Sequence, residues 1–123
     1  MKTRKITPAD RIELSFLESL AARCPDDIMI LKALADLYTR VGYIEKGSEI
    51  DVELVNLCPD DPIVRYNYAC SCALSGQADE ALSSLEKAIE LGYNDHEWML
   101  NDPDLESLKS SRQFARLLKQ ITG

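Results

Sequence analysis

The chain has 123 residues, enough for one domain that buries a core without disulfides or metal ions to hold it. A hydrophobic share of 46% and a charged share of 28% exclude wholesale disorder. The formal net charge of −7 is concentrated mid-chain: residues 1–23 carry five basic and three acidic side chains, residues 24–95 five and fourteen, residues 96–123 four of each. Such a field repels nucleic acid and anionic membranes and suits a basic or amphipathic peptide.

The charged start, residues 1–14, has no apolar run behind it, so it does not read as a secretory signal. No stretch has the length of a membrane span. The expected compartment is the cytoplasm, where thiols stay reduced.

The first helix begins at Thr7, a hydroxyl cap followed by Pro8 in the first turn and Asp10 near the positive end. Ile12, Phe16, Leu17, Leu20 and Ala21 are its expected apolar face. A second helix runs from Ile28 to about Val41 and stops at Gly42. A third covers Ile44 to Leu57 and stops before Pro59. Asp61 and Pro62 open a fourth, which Gly76 ends. Ala78 to Leu91 is the fifth, with Gly92 placed to close it in the left-handed conformation. No segment alternates with period two, so the fold class is all-α.

Two identical tetrads, Cys24-Pro25-Asp26-Asp27 and Cys58-Pro59-Asp60-Asp61, recur at a period of 34. The same shift lays Ala35 on Ala69, Gly42 on Gly76, Glu45 on Asp79, Gly47 on Ala81, Val55 on Ile89 and Leu57 on Leu91. Each period is a helix, a glycine turn and a second helix, a unit that hides its apolar face only by stacking on neighbours.

These residues resemble the tetratricopeptide repeat. In a first unit at 28–61, Leu31, Leu34, Ala35, Tyr38, Gly47 and Pro59 stand at its signature positions; in a second at 62–95, Arg65, Tyr68, Ala69, Cys72, Gly76, Ala81, Leu85 and Ala88 do. Asp51 takes a slot the family fills with a large apolar residue, Leu54 a slot for a small one, and Tyr93 the second proline slot. Residues 8–23 look like the second helix of a truncated preceding unit. Residues 96–123 resemble the family's bacterial capping tail through Asp102-Pro103-Asp104-Leu105, Leu108 and Phe114. Asp102 with Pro103 can start a short helix, and Phe114, Leu117, Leu118 and Ile121 form a stripe that covers the open end of a stack. The resemblance implies a single domain over 1–123, a short right-handed superhelical stack of antiparallel helix pairs.

Chemistry-bearing residues are few. Cys70 and Cys72 sit two apart on one helix and point to different faces, which does not make a zinc site. Cys24 and Cys58 fall in equivalent slots about 15–20 Å apart, beyond disulfide reach. The cysteines read as small buried hydrophobes. His96, the single histidine, has no evident catalytic partner, and phosphate loops and nucleophile elbows are absent. The aspartate pairs read as helix caps, and Trp98 as buried against the last helix. Neither metal nor cofactor is expected, and no enzymatic activity.

The resemblance also implies a binding face on the first helix of each unit: Met29, Lys32, Asp36 and Arg40 in one, Ile63, Tyr66, Asn67 and Cys70 in the next. Lys32 and Asn67 match two positions by which some family members clamp a chaperone's terminal carboxylate. Asp36 stands where that clamp needs asparagine, and a carboxylate repels a carboxylate. The expected partner is a protein or peptide whose apolar groups lie on Met29, Ile63 and Tyr66 and whose basic group meets Asp36. The expected function is a non-catalytic interaction module or scaffold. A thiol-based redox or enzymatic role through Cys70 is the second reading, homo-oligomerisation the third.

Overall fold

A computed structural model describes residues 5–122; residues 1–4, part of the charged start, and Gly123 lie outside the described residues. Seven α-helices follow in chain order: α1 Pro8–Arg23, α2 Ile28–Arg40, α3 Ile44–Leu57, α4 Pro62–Leu74, α5 Ala78–Glu90, α6 His96–Asn101 and α7 Arg112–Gln120, with a 3-10 segment Pro103–Leu108 between the last two. No strand occurs among the described residues.

Local chemistry sets the helix boundaries. Thr7 and Asp10 form a reciprocal capping box: the Asp10 N–H donates to Thr7 Oγ1 at 3.1 Å, and the Thr7 N–H to Asp10 Oδ2 at 2.9 Å. Asp27 accepts from the Ile30 N–H, and Asp61 from the N–H groups of Ile63 and Val64. Gly42 and Gly76 reverse the chain at φ of 90° and 77°, a region that costs a Cβ-bearing residue about 1–2 kcal/mol.

The turn geometry recurs 34 residues on. Cys24 and Cys58 end α1 and α3 at φ/ψ of −128°/70° and −130°/64°, and each carbonyl accepts from the N–H of the second aspartate of its tetrad. The Tyr43 and Gln77 N–H groups both reach back five residues, at 2.8 Å, to the carbonyls of Tyr38 and Cys72. Each tetrad thus ends one helix and caps the next.

Successive helices pack on each other from α1 to α5, and the C-terminal segment folds back on α4 and α5. The largest apolar cluster lies there, where Leu105, Leu108, Phe114, Leu117 and Met99 close over Ala69, Ala81, Leu85 and Ala88. Phe114 and Leu117 are buried as the stripe requires, with Leu118 and Ile121 partly so. Helix α6 is an element the periodicity did not announce: six residues are too short for a repeating face.

Three expectations are corrected. In α1 the buried stripe is Leu14 and Leu17 with Leu20 and Ala21 partly covered; Ile12 and Phe16 stand 73% and 62% exposed. At about 100° per residue Leu14 lies roughly 200° from Ile12, and with α2 as its main neighbour α1 covers one of the two faces. Trp98 is not buried against α7: it stays 56% exposed, while Met99 beside it fills the core. Cys24 is exposed and Cys58 half-buried, because both sit at helix ends and not on packed faces; Cys70 and Cys72 are buried.

Candidate functional site

Helix α3 packs against both α2 and α4, and α4 packs against the returning C-terminal segment. Between them is a cavity of about 210 Å³. Lys32, Asp36 and Thr39 line it from α2, Asp51 and Leu54 from α3, and Tyr66, Asn67, Cys70 and Ser71 from α4. Trp98 of α6, with Asp104 of the 3-10 segment and Asp102 that caps it, completes the wall. A shallower, more apolar recess adjoins it, lined by Pro62, Ile63, Tyr93 and Asp95 and sharing Tyr66, Asn67 and Trp98.

Of the expected binding residues, Lys32, Asp36, Tyr66, Asn67 and Cys70 therefore meet at one cavity, and Ile63 stands 51% exposed beside it. Met29, 82% exposed, and Arg40 line neither depression. Arg40 Nε pairs with Asp36 Oδ2 one turn away at 3.0 Å, and Lys32 Nζ reaches Asp61 at 3.5 Å. Exposed pairs of this kind add little to stability but hold their charges at the rim.

Two of the expected contact residues belong to the core. Tyr66 is 3% exposed, stacked on Tyr93 with ring centroids 4.4 Å apart, and its hydroxyl donates to Asp102 Oδ2 at 2.6 Å. Cys70 is buried too, and its thiol donates to the same carboxylate oxygen at 3.7 Å. The C-terminal segment covers both, a contact that spacing within α4 does not announce. Both therefore offer a partner little of their surface.

The site's electrostatics is dominated by carboxylates. Asp51 is buried with Ser71 as hydrogen-bond donor; burial pushes its carboxyl up to about 6, the Ser71 bond pulling the other way. Burial, then the Asp102 charge, raises Asp104. Burial, with Asp102 next, raises the Cys70 thiol well above its usual value. A reactive cysteine needs a depressed pKa and access, and Cys70 has neither. The ligand atoms of Cys70, Asp102 and Asp104 lie within 4.8 Å of one another, but an ion there would first have to displace a thiol proton shared with Asp102.

Trp98, Asp102 and Asp104 escape a reading by spacing because they act across the fold. Asp102 reads as a cap in the sequence, and it is one: its Oδ1 accepts from the Asp104 N–H at 2.9 Å while Oδ2 serves α4. Asp51 does carry a signal, a carboxylate in a slot expected to be apolar.

No protein-family model matches the chain. Among curated proteins, a chloroplastic protein from Arabidopsis thaliana is similar, at 43% identity over 59 residues. That stretch is 48% of this chain and 18% of the relative, so the likeness covers a minor part of the longer protein. No described helix is long and apolar enough to cross a membrane.

Proposed function

We propose that the chain is a tetratricopeptide-type module, a short right-handed superhelical stack over 1–123 with a half-repeat at 8–23, repeats at 28–61 and 62–95 and a cap at 96–123. It docks a segment of a partner protein against α2, α4 and the C-terminal segment, acting as a non-catalytic scaffold in the cytoplasm. The observation that carries this reading is the cavity beside exposed Ile63 and Trp98, with Lys32, Asp36 and Asn67 in its wall. The recurrence of turn geometry at 34 residues supports the repeat assignment. Large exposed apolar groups rimmed by polar ones mark interaction sites. A thiol mechanism through Cys70 has burial and a raised pKa against it.

The test is affinity capture from an extract of the source organism, read by mass spectrometry. Partners retained by the wild type should be lost from Ile63→Asp and from Trp98→Ala, both exposed at this face. They should survive Glu86→Lys, an exposed position on α5 outside both depressions. Equal retention by all four proteins would refute docking at this face.

A further inference from the structure

Charge in the cavity is out of balance. Among the described residues, Asp36, Asp51, Asp102 and Asp104 share the cavity lining with one ammonium, Lys32, which is paired with Asp61. The Asp36 side chain, though paired with Arg40, remains 69% exposed and so open to a second cation. Asp104 is half-buried against the negative charge of Asp102, a repulsion that an incoming cation relieves. Beside these carboxylates Trp98 presents an exposed indole. An aromatic face next to carboxylates holds a cation through both the ring quadrupole and the charge. The adjoining recess is walled by apolar groups, Ile63, Pro62 and Tyr93 among them.

Resting on the docking reading above, we infer that the occupant is an extended segment of a partner protein carrying a lysine or arginine two residues from a large apolar side chain. The cation crosses the Trp98 face into the cavity toward Asp36 and Asp104, and the apolar side chain lies in the recess against Ile63. The spacing follows from the shared wall. The two depressions share Tyr66, Asn67 and Trp98 in their linings, so a segment that fills both sends two side chains from one face. In an extended chain such residues are i and i+2, about 7 Å apart. A cavity of 210 Å³ takes one side chain and not a helix.

Trp98 is the single tryptophan, so its fluorescence reports occupancy. The full chain is titrated with three acetylated, amidated peptide pools, each with randomised flanks and x: Lys-x-Leu, Glu-x-Leu and Lys-x-Ser. The Lys-x-Leu pool should shift the emission at concentrations at least about fivefold below either of the others, and added salt should weaken it. Asp36→Asn and Asp104→Asn, checked for unchanged helicity, should each cost about fivefold in affinity. Equal response to Lys-x-Leu and Glu-x-Leu overturns the cation requirement while leaving docking at this face in place. Silence from all three pools overturns the inference, and the capture experiment then decides separately whether this face docks anything. A shift that grows with protein concentration alone, with a doubled mass by light scattering, overturns it in favour of a second copy of the chain.

Discussion

The Tyr66 hydroxyl and the Asp102 carboxylate meet at 2.6 Å across 36 residues of chain, both buried, and this bond ties α4 to the segment that caps the stack. The same aspartate starts the 3-10 segment through the Asp104 N–H and accepts the Cys70 thiol. One side chain thus joins a local cap to a long-range contact.

Tyr66→Phe keeps the ring stacked on Tyr93 and removes the donor, leaving Asp102 buried with the weak thiol donor and one N–H. The expected loss is about 1–3 kcal/mol in urea unfolding, the cost of an under-satisfied buried carboxylate. A loss below about 0.5 kcal/mol would mean that the bond contributes nothing measurable.

Asp51 makes stability fall with rising pH. Below about pH 4 its carboxyl is neutral in both the folded and unfolded chain, and burial carries no ionic penalty. Between that point and about 6, where the folded group titrates, the unfolded chain alone ionises and stability drops. Above 6 the penalty is constant, at most roughly 3 kcal/mol from 1.36 kcal/mol per pH unit. Asp51→Asn, which keeps an oxygen for Ser71, should therefore unfold at higher temperature than the wild type at pH 8, and the gap should shrink by pH 4. A gap independent of pH would show that ionisation of Asp51 is not its source.

Trp98 and Met99 are neighbours with opposite burial, and truncation should separate them. Met99→Ala empties a fully covered site and should cost about 2–5 kcal/mol. Trp98→Ala should cost about 1 kcal/mol or less, given its exposure. Acrylamide should quench Trp98 nearly as readily as a free indole. Strong protection from acrylamide would restore the buried reading.

The cysteines should divide by place in the fold. A thiol reagent such as dithiobis-nitrobenzoate should modify Cys24 first and Cys58 more slowly. Cys70 and Cys72 should react only when the chain unfolds, being buried with pKa values raised by burial. Fast modification of Cys70 in the folded chain would revive the thiol reading.

Gly76→Ala should cost about 1–2 kcal/mol although a Cβ there meets nothing within 4 Å, because the penalty is conformational. Unchanged thermal stability would mean that the turn relaxes without strain.

By itself the sequence determined the first five helices and their ends. Thr7, Asp27 and Asp61 cap because a short polar side chain beside the first free N–H groups acts within three residues. Gly42, Gly76 and Gly92 turn because only their own φ is at stake. The 34-residue recurrence was visible for the same reason, since each tetrad acts within one turn. Tertiary structure alone decided which way ambiguous side chains face. Ile12 and Phe16 were expected on the buried face of α1, and the position of α2 put Leu14 there instead. Tyr66 matched a surface position until the C-terminal segment folded over it, and Trp98 looked like core until Met99 took that place. Burial depends on what lies across the fold, and a contact between residues 66 and 102 leaves no trace in the spacing around either one.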